Sequence, residues 1–112
     1  MSFSIVPTER FKKEAKRLSK KFPSLKAELA ELNKTLTNQT DIGTPLGNNS
    51  FKIRLAIRSK GKGKRGGGRV ITYLVSDDNE VYLLTIYDKT ELDNIDDKIL
   101  KSIIQSLNLE KQ

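Results

Sequence analysis

The stretch FKIRLAIRSKGKGKRGGGRVITY, residues 51–73, decides the fold of this chain. Its two ends alternate apolar and polar residues, as half-buried strands do, and a run rich in Gly and Lys separates them. The stretch carries eight Lys or Arg and no Asp or Glu, whereas the rest of the 112-residue chain has thirteen basic and fourteen acidic residues. The formal net charge of +7 therefore arises here. Such a concentration of cations predicts a polyanionic partner, and nucleic acid fits best.

The first of these two strands, predicted over residues 51–57, has one apolar face and one cationic face. Lys52 and Arg54 share the cationic face, because successive side chains of a strand point to opposite sides of the sheet. The apolar face consists of Phe51, Ile53, Leu55 and Ile57. We therefore expect a sheet that packs on helices through one face and presents basic side chains on the other.

The residues before this stretch predict a strand followed by a helical hairpin. Residues 3–7 alternate and end at a proline, which is typical of a short strand. Thr8 is placed to cap a helix over residues 8–21, and Ser24 to cap a second helix with leucines three and four residues apart. Residues 38–50 are rich in Asn, Thr and Gly and predict a loop.

The residues after it predict two further strands and a last helix. The strands run from about 69 to 75 and from 80 to 87, and the helix begins at Thr90 or Asp93. Its apolar side consists of Ile95, Ile99, Leu100, Ile103, Ile104 and Leu107. The order β-α-α-β-β-β-α predicts one α+β domain over residues 1–112, with an antiparallel sheet packed against helices.

Composition excludes several classes of function. The chain has no Cys and no His, so it lacks a thiolate nucleophile, the commonest metal ligand and the usual general base. We therefore expect no metal site, and catalysis by Lys, Arg, Tyr or carboxylates. The glycines do not have the spacing of a phosphate-binding loop, so no small-molecule cofactor is expected. Without a signal-peptide pattern or a long apolar run, the sequence predicts a cytoplasmic protein with no membrane partner.

Three segments carry a resemblance to a known family: PLGNNSFKIRL, GGGRVITYLV and VYLLTIYDKTE. Together they make the chain similar to the RelE/ParE superfamily of toxins from type II toxin-antitoxin systems, and most similar to its HigB-type and RelE-like members. The resemblance implies a microbial-ribonuclease-like sheet packed on helices. It also implies an endoribonuclease that cleaves mRNA, commonly on the ribosome, and a cognate antitoxin that holds it inactive.

The resemblance also implies site residues. The RelE pattern of two basic residues around an apolar one matches Lys52 and Arg54, the arginine that opens the next strand matches Arg69, and the lysine after the last strand matches Lys89. RelE has an arginine directly after that lysine and a tyrosine a few positions later, where this chain has Thr90 and Asp96. This departure leaves two alternatives open: a non-catalytic inhibitor of DNA gyrase of the ParE kind, and a degenerate toxin that only binds its antitoxin.

RNA cleavage without a metal assigns a chemical role to each candidate. The 2′-hydroxyl attacks its own phosphate, so the site needs a base, cations around the phosphorane and an acid at the leaving oxygen. Arg69 and Arg54 are the expected clamps, since a guanidinium matches two phosphate oxygens. Lys52 is the expected base, because neighbouring cations favour a neutral amine. Tyr87 or Lys89 is the expected proton donor.

The basic loop is a second expected contact with RNA. Alternating Lys and Gly keep a chain solvated until anions neutralise the lysines, so the loop can become ordered on RNA. The alternative is that the loop is only the soluble tip of a hairpin. Arg69 is expected to be an exposed cation at a strand end. The residues expected to bind RNA are Arg58, Lys60, Lys62, Lys64 and Arg65.

Overall fold

A five-stranded sheet with helices on both faces organises the chain in a computed structural model. The structure describes residues 2–61, 63, 66–75, 77–92 and 94–111, with side chains up to residue 107. The elements, in chain order, are β1 (Ser4–Pro7), α1 (Glu9–Lys21), α2 (Leu25–Asn38), β2 (Thr44–Gly47), β3 (Ser50–Leu55), a 3₁₀ turn (Arg58–Lys60), β4 (Gly68–Val75), β5 (Glu80–Asp88) and α3 (Asp97–Lys111). The α+β class expected from the sequence is confirmed.

The strands lie in the order β1-β5-β4-β3-β2. The four strands from β2 to β5 pair antiparallel, as expected, whereas β1 pairs parallel with β5 and makes the sheet mixed. Thr8 fixes this parallel edge, because its backbone N–H donates to the Leu83 carbonyl and its hydroxyl lies within 3.1 Å of the Leu83 and Leu84 carbonyls. The same hydroxyl accepts from the Phe11 N–H and caps α1, which confirms the predicted cap.

Strand β2 lies inside the segment expected to be a loop. It pairs with β3 through a tight turn in which Asn48 and Asn49 have φ angles of 53° and 61°. Two consecutive residues with positive φ are what a two-residue hairpin turn requires, and Asn tolerates that conformation better than most residues. The Asn-Asn pair was therefore a hairpin signal within a composition that otherwise indicates a loop.

Each face of the sheet has its own apolar core. Helices α1 and α2 cover one face, and the residues buried there include Ile53 and Ile57, in agreement with the expected apolar face of β3. Helix α3 covers the other face, where it packs on Ile71, Tyr82 and Leu84. The seven basic side chains of α1 are exposed to solvent; they are Arg10, Lys12, Lys13, Lys16, Arg17, Lys20 and Lys21.

Helix α3 begins at Asp97, later than the expected start at Thr90 or Asp93. The chain first makes a turn in which the Glu91 and Leu92 amides donate to the Asp88 carbonyl, and Ile95 then enters the core before the helix starts. Leu100, Ile103 and Leu107 are buried as expected, but Ile99 is 47% exposed because it lies off that stripe. No helix in the described ranges is long and apolar enough to cross a bilayer.

We predict opposite outcomes for the same charge placed on the two faces of β3. Ile53→Asp should prevent folding, because Ile53 is 6% exposed and an unpaired buried carboxylate costs a large part of a typical stability of about 5–15 kcal/mol. Arg54→Asp, at the exposed neighbouring position, should unfold with a midpoint near that of the wild type. Thermal unfolding followed by circular dichroism tests both; a folded Ile53→Asp protein would contradict the observed strand register.

Candidate nucleic-acid site

The register of three strands aligns three of the predicted site residues in one row across the sheet. Arg54 on β3 pairs with Arg69 on β4, and Arg69 pairs in turn with Tyr87 on β5. Directly paired residues of neighbouring strands have Cβ atoms about 5 Å apart and point to the same face. Two guanidinium groups and one phenol are thus brought together on the face that α3 partly covers. We call Arg54, Arg69 and Tyr87 the cross-strand row.

Lys52 lies two residues before Arg54 and therefore on the same face. Its ammonium Nζ lies 3.4 Å from the side-chain oxygen of Asn94, which belongs to the segment between β5 and α3. This contact directs the lysine toward that segment. Asn94 was not among the residues expected from the sequence, and nothing in the local pattern singles it out.

Arg69 is buried, contrary to the expectation of an exposed cation at a strand end. It is 4% exposed, and its Nη1 donates to the Gly68 carbonyl at 2.9 Å. Its cross-strand neighbour Arg54 is exposed. Arg54 is therefore the arginine of the row that reaches solvent, and replacement of Arg69 would remove packing as well as charge.

Tyr87 combines burial with an unsatisfied hydroxyl. The residue is 6% exposed, and its hydroxyl has no hydrogen-bond partner of ordinary geometry among the described residues, although the Ile95 amide lies near. Burial raises the pKa of the phenol above its usual value, and the positive charge of Arg69 and the Ile95 amide offset that effect only in part. The phenol therefore keeps its proton at neutral pH, which is the state that a proton donor needs.

Lys89 is held just beyond the row by its backbone. Its N–H donates to the Gly67 carbonyl at 3.0 Å, so the pairing of β4 with β5 extends past the end of β5. The turn that follows is tied to α1, because the two guanidinium nitrogens of Arg17 each lie 3.1 Å from a carboxylate oxygen of Glu91. These bonds from Arg17 are the main reason that the pKa of Glu91 is lowered.

Lys60 lies in a buried ion pair and not on the open surface where an RNA-binding side chain was expected. Its side chain is 8% exposed, and the ammonium donates to the carboxylate of Asp88, which is fully buried, and to the Gly66 carbonyl at 2.6 Å. Asp88 also accepts from the backbone and the hydroxyl of Thr90. This geometry makes Lys60 a structural residue that fastens the loop to the end of β5, with little open surface for RNA.

The pKa of Asp88 reflects two opposed effects. Burial alone would raise it, but the hydrogen bonds from Lys60 and Thr90 outweigh burial and hold the pKa of Asp88 below its usual value. The carboxylate is therefore ionised at neutral pH and keeps the ammonium of Lys60 in place. Nothing in the sequence pairs these two residues, which lie 28 positions apart.

The start of the basic loop is also anchored on the helical hairpin. The Arg58 N–H donates to the buried carboxylate of Glu28 at 2.7 Å, and the Arg58 guanidinium lies 3.3 Å from the same oxygen. The Ser59 N–H donates to the hydroxyl of Ser24 at 2.9 Å, so the predicted cap residue Ser24 serves the loop and not the helix backbone. Arg58 keeps most of its side chain exposed. The other expected RNA contacts, Lys62, Lys64 and Arg65, lie outside the described residues.

Within the described ranges, no three acidic side chains gather closely enough to hold a metal ion. The site described by these residues is a cationic row with a protonated phenol at one end and a lysine beside it. Such a row can bind a phosphodiester through Arg54 and Lys52. Tyr87 adds a protonated phenol whose hydroxyl is buried in this structure.

No family model matches the sequence. Solved structures do match the fold. The toxin RelE of E. coli, as a double arginine-to-alanine mutant in the free state, aligns with a TM-score of 0.53 and 17% identity over 83% of this chain and 90% of that chain. The RelBE2 toxin-antitoxin complex of Mycobacterium tuberculosis aligns with a TM-score of 0.56 and 15% identity, over 79% of this chain and 92% of that chain. The isolated E. coli RelE toxin aligns with a TM-score of 0.53 and 16% identity, over 95% of this chain and 99% of that chain. This chain therefore has the RelE-like fold.

We predict that Asp88 stabilises the fold in a pH-dependent way. Because its pKa is lowered on folding, its contribution is fully present above the unfolded pKa, near 3.8, and is lost as the pH falls through the folded pKa. Asp88→Asn should cost about 3–5 kcal/mol at pH 7, since it leaves the buried ammonium of Lys60 without its anion. The difference in unfolding free energy between wild type and variant should shrink below pH 4.

Urea unfolding from pH 7 to pH 2 measures this difference. Other carboxylates titrate in both proteins, so the difference isolates Asp88. The double variant Asp88→Asn/Lys60→Met, which removes both charges, should recover much of the loss. A difference that stays constant down to pH 2 would contradict the ionised pair.

Proposed function

We propose that this protein is a RelE-like toxin of a type II toxin-antitoxin system, an endoribonuclease that cleaves mRNA without a metal ion. The observation that carries the proposal is the cross-strand row. It places two guanidinium groups and a protonated phenol on one face of a rigid sheet, beside a lysine, in a chain whose excess positive charge lies in the same region. The RelE-like fold supports the same function.

The proposed reaction is attack of a ribose 2′-oxygen on the adjacent phosphorus. Lys52 takes the proton of the 2′-hydroxyl while the O2′–P bond forms. The P–O5′ bond breaks, and the Tyr87 hydroxyl gives its proton to the leaving 5′-oxygen. The products are a 2′,3′-cyclic phosphate and a 5′-hydroxyl, so one proton is taken and one is given in each turnover.

The arginines of the row have unequal roles in this scheme. Arg54 is exposed and can fork onto two non-bridging oxygens of the phosphate, where charge develops in the transition state. Arg69 lies behind it, between Arg54 and Tyr87, and supplies positive charge from a buried position. Its field becomes stronger when substrate excludes water from the row.

Asn94 orients Lys52 in the proposal. The Lys52 Nζ donates to the Asn94 side-chain oxygen at 3.4 Å, and this contact holds the lysine beside the row. Lys89, held by the Gly67 carbonyl beyond the row, is placed to contact the phosphate next to the scissile one. Tyr87 is thus the proton donor in the proposal, and Lys89 a phosphate contact.

Two macromolecular partners belong to the proposal besides mRNA. The exposed cations of α1 and the exposed guanidinium of Arg58 support contact with the RNA of the ribosome. The second partner is a cognate antitoxin. The RelBE2 structure is of a toxin-antitoxin complex, and by its similarity we expect an acidic or amphipathic antitoxin segment on the basic surface here.

We predict that induced expression in cells without the antitoxin produces new internal 5′ ends in translated mRNA. Arg54→Ala should lower the cleavage rate about a hundredfold, because it removes one donor to the developing charge. Lys34→Ala, which removes an exposed cation of α2 on the opposite side of the sheet, should cleave as the wild type does. Purified toxin should keep its activity in EDTA.

Mapping of the 5′ ends in all three strains decides between functions. Growth arrest without cuts would contradict the ribonuclease and point to gyrase inhibition. Neither cuts nor arrest would point to a degenerate toxin that only binds its antitoxin. Equal cleavage by Arg54→Ala and wild type would show that the cross-strand row is not the cleavage site.

A further inference from the structure

The turn that follows β5 is tied to α1 by an ion pair with two hydrogen bonds. The Arg17 guanidinium forms a fork with Glu91, in which Nη1 and Nη2 each donate to one carboxylate oxygen at 3.1 Å. The two residues lie 74 positions apart in the sequence. Glu91 comes two positions after Lys89, so the fork joins α1 to the short segment that carries this lysine.

A second carboxylate fixes the direction of the Arg17 side chain. Arg17 Nη2 also donates to Glu14, one turn earlier on the same helix, at 3.1 Å. The hydrogen bonds to Glu91 and Glu14 raise the pKa of Arg17, and those from Arg17 lower the pKa of Glu91. Both members of the fork are therefore charged at neutral pH. The guanidinium is held on its own helix by Glu14 and presented to the turn.

Further bonds fix the backbone on both sides of Lys89. The Lys89 N–H donates to the Gly67 carbonyl at 3.0 Å and extends the pairing of β4 with β5 by one residue. Strand alternation then sets Lys89 on the same face as Tyr87. The backbone N–H and the hydroxyl of Thr90 donate to the Asp88 carboxylate at 3.1 and 3.0 Å. The turn is thus tied to the sheet before it is tied to the helix.

The fork between Arg17 and Glu91 affects geometry more than stability. Their side chains are 48% and 39% exposed, and ion pairs with this much exposure stabilise a fold only slightly because water screens them. Two parallel hydrogen bonds, however, set both a distance and an orientation, which a single contact leaves open. The physical consequence of the fork is therefore a defined position for the turn.

We propose that Arg17 and Glu91 are positioning residues, which hold the turn so that Lys89 contacts the phosphate next to the scissile one. A lysine has four methylene groups and many rotamers, so its ammonium meets one phosphate only if the backbone beneath it is held. The inference rests on the proposed function, because it takes Lys89 as a phosphate contact. It makes α1, which packs on the opposite face of the sheet from the cross-strand row, part of the machinery.

Glu91→Gln and Glu14→Gln are a matched pair of variants that test this role. Each removes one negative charge that contacts Arg17, but only Glu91 lies on the turn. With a short single-stranded RNA as substrate, Glu91→Gln should raise KM about tenfold and leave kcat nearly unchanged, the effect of losing one charge-assisted hydrogen bond to a phosphate that does not react. Glu14→Gln should keep the wild-type KM. An unchanged KM in both variants would overturn the inference and favour direct contact of Arg17 with RNA.

Dependence on Lys89 separates positioning from a general loss of stability. Lys89→Ala should itself raise KM, and Glu91→Gln should add nothing in that background, because both act on the same contact. Glu91→Gln should melt within about 5 °C of the wild type. Additive effects of the two substitutions would contradict the inference. So would a fall in kcat at unchanged KM, which is what a smaller folded fraction produces.

Two measurements without cleavage distinguish a failure of this inference from a failure of the proposed function. Backbone ¹⁵N relaxation should give order parameters near about 0.85 for Lys89 and Thr90 in the wild type and in Glu14→Gln, and values near about 0.6 in Glu91→Gln. Equal order parameters in all three would overturn the inference alone. Affinity for the 2′-deoxy form of the same oligonucleotide should fall about tenfold in Glu91→Gln. A wild type that neither cleaves the RNA nor binds the deoxy form would contradict the proposed function, and the inference with it.

Discussion

The antiparallel register of β3, β4 and β5 is the constraint on which the candidate site depends. It sets Arg54, Arg69 and Tyr87 side by side on one face, and the next row, Leu55, Gly68 and Asp88, closes the end of the sheet behind them. Each strand is held by its neighbours and by apolar cores on both faces. The charged groups are thus positioned by a rigid element, and their mutual repulsion is resisted by burial of the strands that carry them.

Concentrated positive charge destabilises a fold, and the structure offsets this cost where the loop meets the sheet. The Lys60–Asp88 pair places one cation in contact with a buried carboxylate, and Glu28 receives both the backbone and the guanidinium of Arg58. These contacts also fix both ends of the basic loop, since Gly66 and Gly67 bond to Lys60 and Lys89. Cations outside these pairs remain for a polyanionic ligand. Lys60 therefore stabilises the structure, whereas Arg58 both contacts Glu28 and keeps exposed surface for the proposed binding.

Much of this arrangement follows from the sequence, and the exceptions have physical reasons. Alternation in FKIRLAI fixed which side chains share a face, and the Thr8 cap followed from local chemistry. The pairing of Arg54 with Arg69 did not follow, because register depends on turn geometry. The pairing of Arg69 with Tyr87 depends in addition on the irregularity of β4 and β5 at Ile71 and Thr72. Burial of Arg69 and the contact of Lys60 with Asp88 arise from segments distant in sequence. Helix α3 starts late because Ile95 enters the core before the helix begins. The apolar periodicity of the sequence is the same whether Ile95 lies in the helix or before it, so it could not predict this start.

The central claim is that the row promotes attack by a ribose 2′-oxygen, and the identity of the attacking atom is the most direct test. An RNA that contains one strong cleavage site should be compared with the same RNA in which only the nucleotide 5′ to the cut is 2′-deoxy. Our account predicts that the deoxy substrate is not cut at that bond and that the all-ribose substrate yields a 2′,3′-cyclic phosphate and a 5′-hydroxyl. Equal cleavage of both substrates, or a 5′-phosphate product, would contradict it, because water would then be the nucleophile.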